Sequence, residues 1–329
     1  MRGLTKLEAG VGHVALADRP EPSPAPAHVV LDVVGAGICG TDLHILDGEF
    51  AALPPVTMGH EVSGVVRELG VGVDPGWIGA RVVSETYFST CGACEWCDSG
   101  RTNLCPERRS IGSGVDGAFA PRLQVPVQNL HRIPDWLDGH AAVLCEPLAC
   151  VCNSLLDPSP VVDGDEVLVI GPGPVGLLAA QVGRAAGGHV HVRGTPRDRA
   201  RLAKARELGF ETSDEGDCPE ADVVVECSGS ERGIALGLER ARRRGRYVQI
   251  GLAGKPVTVP LDLVCFRELS VTSGNASTPR SWGTALELVE ARAVLLEPLL
   301  SEVVPLAGWE RAFAATRAAK GVKFVLDPR

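Results

Sequence analysis

The 329-residue sequence is long enough for two domains, because single hydrophobic cores stop growing near ~250–300 residues. Its composition, 45% hydrophobic and 22% charged, is typical of a folded globular protein and excludes a disordered chain. The formal charge of −9 argues against nucleic acid or an anionic membrane as a partner, since both attract basic surfaces. A small molecule is the expected ligand.

Targeting signals and cysteine usage point to the cytoplasm. The N-terminus has no long apolar core of the kind found in signal peptides, and no run approaches the ~20 apolar residues of a membrane helix. Eleven cysteines, an odd number with four between Cys91 and Cys105, favour metal binding in a reducing compartment over a disulfide framework.

Up to about residue 150, short apolar runs alternate with Gly and Pro, and this part is expected to be mostly β. The Pro-rich span from Pro20 to Pro26 predicts an extended surface connection, because Pro cannot pair inside a sheet. Runs rich in β-branched residues predict strands at 28–38, 61–70 and 80–85.

The segment from Gly37 to Glu61 carries the residue types of a catalytic metal site. Cys39 offers a thiolate, His60 an imidazole and Glu61 a carboxylate, which are the ligands a catalytic zinc takes while it keeps one position open. Each residue also has an ordinary interpretation, since a lone Cys is most often a small buried apolar residue. The prediction therefore depends on two further motifs.

Polar residues beside these ligands fit supporting roles. Asp42 is predicted to accept the free N–H of His60 and fix its tautomer, as carboxylates do for zinc-bound histidines. Thr41 and His44 are predicted to pass a proton outward from a bound alkoxide.

A second motif places four cysteines in one loop, at Cys91, Cys94, Cys97 and Cys105. Such spacing can wrap one tetrahedral ion, and four thiolates close its coordination shell against substrate. The loop therefore predicts a structural zinc, with an iron–sulfur cluster as the minor alternative.

Glu146 lies before Pro147 among apolar neighbours, a poor place for a charge unless a cation is close. The alternative is a carboxylate at a helix N-terminus, where the helix dipole favours it and Pro147 is a good first helical residue.

From Asp165 the pattern changes to strand, turn and helix. Residues 166–170 form an apolar run typical of a buried parallel strand, and they lead directly into glycines at GxGxxG spacing. The glycines allow a tight turn and let backbone N–H groups approach a pyrophosphate at the helix N-terminus. The predicted cofactor loop comprises Gly171, Gly173, Pro174, Val175 and Gly176.

Strands and helices then alternate, which predicts a doubly wound parallel sheet. The predicted elements are a strand at 189–192, a helix from Pro196 to Leu208, a strand at 221–227, a helix to Arg243, strands at 245–252 and 269–273, and a helix around Trp282–Glu290. The last forty residues return to strand-like character and are expected to rejoin the first domain.

The end of the second strand of this sheet predicts the cofactor. NAD sites normally carry an acid there to bond the ribose 2′-hydroxyl, but this chain has none before Asp198. Arg193 or Arg197, together with the Thr195 hydroxyl, suits a 2′-phosphate, and Gly194 lies between them. NADP is therefore predicted over NAD. The alternative is that the arginines simply flank a helix start.

In this order, GICGTDLH with GHE, the four-Cys loop and the late GxGxxG resemble the zinc-dependent medium-chain alcohol dehydrogenases over essentially the whole chain. The resemblance implies an α/β protein with a GroES-like, mainly β catalytic domain at 1–150, rejoined by 291–329, and a Rossmann domain at 151–290. It also implies a catalytic zinc on Cys39 and His60, a structural zinc on the four-Cys lobe, and an active site in the cleft.

Glu146, in the phrase CEPL, stands where simple alcohol dehydrogenases place a third Cys ligand, and this departure resembles the polyol, sugar and threonine dehydrogenase branch. In that branch Glu61 can occupy the zinc directly, and the later Glu either ligates or stays nearby, so both remain candidates. The implied reaction transfers a hydride between a secondary alcohol, such as a polyol, sugar or cyclitol, and a nicotinamide, leaving a ketone. A homo-oligomer, dimer or tetramer, is implied as well.

Three alternatives to a polyol dehydrogenase stay open. A threonine-type amino-alcohol dehydrogenase shares the same motifs. A zinc-free quinone or enoyl reductase is less favoured, because those enzymes lack the cysteine lobe and the Cys and His ligands. A non-catalytic redox sensor would use the four-Cys loop as a thiol switch, and the relay residues Thr41 and His44 count against it.

Overall fold

The computed structural model describes residues 1–156, 161–216 and 218–329. The chain divides into two compact units. The first comprises Met1–Glu146, Leu300–Ala318 and Lys323–Arg329, and the second comprises Pro147–Leu299 and Ala319–Val322. The chain therefore leaves the first unit and re-enters it twice.

Strands and α-helices alternate irregularly in the first half of the chain and regularly in the second. The first half contains β1 (Arg2–Lys6), β2 (Val14–Asp18), β3 (His28–Gly37), α1 (Gly40–Leu46), β4 (Val56–Thr57), β5 (Glu61–Leu69), β6 (Arg81–Ser84), β7 (Tyr87–Ser89), α2 (Glu95–Asp98), β8 (Arg109–Ser110), β9 (Arg122–Pro126), β10 (Leu130–Arg132) and α3 (Cys145–Leu156). Then follow β11 (Glu166–Ile170), α4 (Pro174–Ala185), β12 (His189–Arg193), α5 (Arg199–Glu207), β13 (Glu211–Ser213), β14 (Ala221–Glu226), α6 (Glu231–Arg240), β15 (Ala241–Gln249), α7 (Asp262–Phe266), β16 (Ser270–Ser273), α8 (Pro279–Glu290), β17 (Leu300–Pro305), α9 (Trp309–Arg317) and β18 (Lys323–Asp327).

A mainly antiparallel sheet forms the centre of the first unit, with strand order β10-β6-β5-β3-β18-β17 and β9 also paired to β3. Its long strand β3 is rich in β-branched residues, which pack well on a pleated surface. Val29, Leu31 and Val33 alternate along it and are fully buried in the core of this unit. The two central strands β3 and β5 end at the predicted metal ligands, so this core positions them.

A parallel sheet with strand order β13-β12-β11-β14-β15-β16 forms the centre of the second unit. The order reverses direction between β11 and β14, which is the switch point where doubly wound sheets bind ligands at the carboxyl ends of their strands. Strand β11 is buried after its first residue, as its continuous apolar run predicted. Pro174 opens α4 because its fixed backbone angle suits the first helical turn.

Most predicted elements are confirmed, with two differences. The helix predicted to reach Arg243 ends at Arg240, and β15 begins at Ala241. The arginines at 242–244 look helical by propensity, but they form an irregular stretch of β15 between Ala241 and Arg246, which pair with β14. The last forty residues contain α9 between two strands, and a helix with an apolar face was overlooked there.

Among the residues that the structure describes, no helix is long and apolar enough to span a membrane.

Candidate functional site

Three predicted zinc ligands meet where the central strands of the first unit end. Gly37 pairs with Glu61 across β3 and β5, so Cys39 lies just beyond the end of one strand and His60 just before the start of the next. Ligand atoms of Cys39, His60 and Glu61 all lie within 4.8 Å of one another. A thiolate, an imidazole and a carboxylate at this spacing fit a zinc ion.

Helix α1 follows Cys39 at once, and Asp42 caps it. The backbone N–H of Cys39 donates to Asp42 Oδ2 at 2.9 Å. Asp42 Oδ1 is buried without a hydrogen-bond partner among the described residues, so the predicted bond from His60 is not formed. Burial raises the pKa of Asp42 to about 6, against the lowering effect of nearby His60. Asp42 therefore acts on His60 through its charge.

Lys323, the first residue of β18, is the main feature of the site that sequence analysis missed. Its buried ammonium donates to both carboxylate oxygens of Glu61, at 2.8 and 2.6 Å, and to the carbonyl of Ile38 at 3.1 Å. Burial opposes the charge, but Glu61 and Cys39 outweigh burial and raise the pKa of Lys323. No local pattern could have paired residues 262 positions apart.

Glu146 is buried and is held by another side chain. The hydroxyl of Thr86 donates to Glu146 Oε1 at 2.9 Å. The described group of possible metal ligands at this site does not include Glu146, although its charge acts on both His60 and Lys323. This arrangement suits a carboxylate that stays beside the metal. Either Glu61 or Glu146 therefore remains a candidate for the third protein ligand.

The charges around His60 favour binding of a cation. Burial disfavours the charged imidazole, but Cys39, Asp42 and Glu146 outweigh burial and raise the pKa of His60 well above its usual value. The same negative surroundings would favour Zn²⁺, and zinc binding displaces the proton from such ligands.

The predicted relay residues lie on α1, three positions apart and so on one face of the helix. The Cys39 Sγ and Thr41 Oγ1 atoms are 3.7 Å apart. The Nδ1 of His44 lies 2.6 Å from Glu49 Oε2, which leaves Nε2 as the ring nitrogen that can exchange a proton. His44 is partly exposed, as a residue that hands protons to solvent must be.

The four-Cys loop has the dimensions of a zinc site. The sulfurs of Cys91 and Cys97 are 3.9 Å apart, and the Cys94–Cys97 and Cys91–Cys105 sulfur distances are both 3.6 Å. Zinc–sulfur bonds of about 2.3 Å in a tetrahedron require sulfur–sulfur distances of about 3.8 Å. The backbone N–H of Cys91 also donates to Cys105 Sγ, as it would to a thiolate. The donor set fits a structural zinc.

The glycine-rich loop between β11 and α4 leaves a cradle for a dinucleotide. Gly171 has φ +97°, a conformation that favours glycine, and a Cβ atom there would lie 2.8 Å from the Ser228 nitrogen. A Cβ atom on Gly176 would lie 1.8 Å from the Gly171 carbonyl oxygen. At Gly173, over the residues that the structure describes, such a Cβ would have within 4 Å only Nη1 of Arg201, at 4.0 Å, apart from its chain neighbours. The loop fits close approach of a pyrophosphate.

Arg201, on α5, is a second residue that sequence analysis missed. Its Nε donates to the carbonyl of Gly321 at 2.7 Å, which leaves the end of the guanidinium near Gly173. A cation beside the glycine loop suits an anionic cofactor. In the sequence, nothing distinguishes Arg201 from the other arginines of this charged helix.

The residues predicted to select the cofactor have different surroundings. Nε and Nη1 of Arg193 are buried without a hydrogen-bond partner in the part of the chain that the structure describes, which is costly unless a ligand completes the site. Arg197 is exposed. The Thr195 hydroxyl donates to Asp198 Oδ2 at 2.7 Å and so caps the following helical turn. A Cβ atom on Gly194 would crowd Leu202 at 3.1 Å.

Comparison with known proteins identifies the family. The alcohol dehydrogenase GroES-like domain model matches residues 25–135, and the zinc-binding dehydrogenase model matches residues 174–291. The chain is 37% identical to a sorbitol dehydrogenase of Halalkalibacterium halodurans, over 100% of this chain and 99% of the relative. It is 32% identical to an L-threonine 3-dehydrogenase of Bacillus velezensis, over 100% and 99%.

A solved structure agrees with these matches. It is a zinc-binding dehydrogenase from Sinorhizobium meliloti 1021 bound to NADP, with 32% identity, a TM-score of 0.89 and 99% of each chain covered. The predicted GroES-like and Rossmann folds are thereby confirmed. The chain belongs to the zinc-dependent medium-chain alcohol dehydrogenases, in the branch of polyol and threonine dehydrogenases, and is an NAD(P)-dependent oxidoreductase.

Proposed function

We propose that the protein oxidises a secondary alcohol of a polyol, sugar or cyclitol to the ketone, with a catalytic zinc and NADP. The observation that carries this proposal is the cluster of Cys39, His60 and Glu61 ligand atoms. Glu146 lies outside this cluster, but its charge acts on His60. The 37% identity to a sorbitol dehydrogenase supports a polyol substrate.

Each residue of the cluster has a proposed role. Cys39 and His60 hold the catalytic zinc together with Glu61 or Glu146, and the four cysteines of the lobe hold a structural zinc. When bound, the catalytic zinc supplies a Lewis acid for the substrate hydroxyl, and the nicotinamide supplies the hydride acceptor. Thr41 accepts the hydroxyl proton as it releases its own toward His44, which takes up a proton at Nε2 and then gives it to solvent while Glu49 holds Nδ1.

Glu61 has two competing partners in this proposal. Its carboxylate is bound by Lys323 at both oxygens. Turning toward the metal would therefore require Glu61 to give up at least part of a buried ion pair, whose loss is costly. Lys323 thus sets how readily Glu61 enters the zinc shell and leaves it.

A panel of alcohols tests the substrate class. Formation of reduced nicotinamide would be followed with polyols, cyclitols, sugars and L-threonine. Turnover with polyols supports the proposal. Turnover with threonine alone would identify the amino-alcohol alternative, which the 32% identity to a threonine dehydrogenase favours as the second candidate. No turnover with any alcohol, and zinc loss on mild oxidation, would favour a redox sensor.

The preference for NADP rests on the buried Nε and Nη1 atoms of Arg193, which have no hydrogen-bond partner among the described residues. A ribose 2′-phosphate that reaches one edge of this guanidinium would supply the acceptor that the described residues lack there. Exposed Arg197 adds charge nearby, whereas Thr195 is engaged by Asp198. Similar solved structures hold NADP, NADH or NAD, so the proposed preference depends on Arg193.

Replacing Arg193 by alanine is expected to weaken NADPH binding about tenfold or more, since a hydrogen bond to a charged group contributes about 1.5–3 kcal/mol. NADH binding should change little, because NADH lacks the 2′-phosphate. Fluorescence titration of purified protein with each cofactor measures both affinities. Arg206→Ala on α5 is the matched control, because that guanidinium binds Thr212 instead. Equal or tighter binding of NADH by the unmodified protein would contradict the assignment.

We also propose that the protein is a homo-oligomer, a dimer or tetramer. Strand β16 is an edge of the parallel sheet, and unpaired edges readily add a strand. Three apolar side chains nearby are exposed: Leu261, Phe266 and Val271. Light scattering should give a multiple of 34.5 kDa that falls on Val271→Lys substitution. A monomer at micromolar concentration would overturn this proposal. The four cysteines of the lobe are thiols and not disulfides, which supports a reducing, cytoplasmic location.

A further inference from the structure

A buried carboxylate at the switch point of the parallel sheet has no role in the chemistry described so far. Glu226 is the last residue of β14 and is fully buried. A buried charge is costly unless hydrogen bonds satisfy it. All the donors that the structure records for this carboxylate, over the described residues, are neutral groups of two loops. The carboxylate therefore holds these loops in place through hydrogen bonds.

The first loop follows β14 directly. The backbone N–H of Ser228 donates to Glu226 Oε1 at 2.8 Å, and the Ser228 hydroxyl donates to the same oxygen. The backbone N–H of Gly229 donates to Oε2 at 3.0 Å. One side chain thus fixes two consecutive peptide groups and the rotamer of a serine.

The second loop follows β15. Nε2 of Gln249 donates to Glu226 Oε2 at 2.9 Å and to the carbonyl of Gly251 at 2.7 Å. The Gln249 Oε1 atom accepts from the hydroxyl of Tyr247 at 2.7 Å, so the amide is oriented from both ends. The backbone carbonyl of Glu226 also accepts from the N–H of Gly251 at 2.9 Å.

The cofactor loop lies against the first of these loops. A Cβ atom on Gly171 would lie 2.8 Å from the Ser228 nitrogen, which is the atom that Glu226 holds. Strands β11 and β14 are neighbours, and the order of the sheet reverses between them. Glu226 therefore fixes the position of the loop after β14, which lies beside the glycine loop at the predicted dinucleotide crevice.

We propose that Glu226 is a positioning residue for the nicotinamide dinucleotide, acting through the loops 227–230 and 249–251 that it ties together. It does not touch the cofactor itself. This inference rests on the proposed use of the crevice for NADP or NAD, and it assigns to Glu226 a contribution to the binding of both cofactors.

The test is the isosteric substitution Glu226→Gln. In glutamine an NH2 group replaces one carboxylate oxygen, and this group cannot accept hydrogen bonds. If it replaces Oε1, the bonds from Ser228 are lost, and if it replaces Oε2, those from Gly229 and Gln249 are lost. We expect the dissociation constants of NADPH and of NADH to rise by about tenfold, because buried unpaired donors displace the loops. The KM for cofactor should rise more than kcat falls, and zinc content should not change. Loss of affinity for both cofactors distinguishes this variant from Arg193→Ala.

Asp222→Asn is the matched control. Asp222 lies four residues earlier, near the amino end of the same strand and about 13 Å away, where it accepts from the Glu166 N–H and from Arg242. The Asp222→Asn substitution should lower thermal stability and leave the affinities for NADPH and NADH unchanged. If Glu226→Gln lowers stability to the same extent and cofactor binding stays at the unmodified value, the role is structural and the inference is wrong.

Ser228→Ala keeps the test decisive if Glu226→Gln does not fold. Ser228 is exposed, so alanine is tolerated, yet the variant removes one bond to Glu226 and the contact with Ser230. We expect affinity for both cofactors to fall about threefold. Unchanged affinity in this variant overturns the inference. If the unmodified protein binds neither cofactor, the proposed function itself fails, and that result is distinct from a variant that binds as well as its parent.

Discussion

Replacing Cys39 by serine is expected to lower kcat by about a thousandfold or more while the fold remains intact. Cys39 supplies the only thiolate of the Cys39, His60 and Glu61 group, and a metal that stabilises developing charge contributes several kcal/mol to catalysis. The measurement combines zinc analysis with initial rates. Of the two ions expected for the two ligand groups, one should be lost.

Cys97→Ala is the reciprocal control for this result. Cys97 belongs to the lobe group, and a structural zinc contributes folding free energy directly. This variant should also lose one zinc, but its main effect should be poor folding, visible in thermal unfolding. A fully active and equally stable Cys97→Ala protein would contradict the structural zinc, and an active Cys39→Ser protein would contradict the catalytic one.

Replacing Lys323 by methionine is expected to lower the free energy of unfolding by about 3–5 kcal/mol, because it leaves the Glu61 carboxylate buried and unpaired. Since Glu61 and Cys39 raise the Lys323 pKa against the effect of burial, the ion pair contributes fully below the unfolded value near pH ~10.4. Its contribution declines only as the pH rises through the folded pKa. Denaturant unfolding at neutral pH therefore measures the full effect.

The double variant Lys323→Met with Glu61→Gln separates the ion pair from simple packing. Removing both charges should recover part of the lost stability, since the cost lies mainly in the uncompensated carboxylate. A Lys323→Met protein within 1 kcal/mol of its parent would show that Glu61 finds another partner or is protonated. In either case, zinc content of both variants reports how strongly Lys323 holds Glu61 away from the metal.

Local patterns were sufficient for most of the fold and for the ligand types. The apolar run before the glycines predicted β11 and the loop that follows it, because a buried parallel strand needs little more than its own sequence. The spacing of the four cysteines predicted a site whose sulfur distances match a zinc tetrahedron. These features depend on neighbours along the chain.

Features that depend on distant parts of the chain were not predictable. In the sequence, Lys323 is simply a charged residue of a predicted strand. Only the pairing of β18 with β3 brings it to Glu61. Arg201 and Glu226 are ordinary residues of a helix and a strand until the fold places Arg201 beside Gly173, and Ser228, which Glu226 binds, beside Gly171. Asp42 was assigned to His60, but the nearer N–H of Cys39 competes for its oxygen.

The short segment between α9 and β18 has a consequence for how the protein tolerates change. Gly321 accepts the hydrogen bond from Arg201 beside the cofactor loop, and Lys323, two positions later, binds Glu61 beside the metal ligands. Chain termini usually accept insertions and deletions freely. Here the residues on both sides of position 322 are each held by a contact within their own unit, so a change of length would fall on a single intervening residue. This part of the C-terminus should therefore keep a fixed length among functional variants.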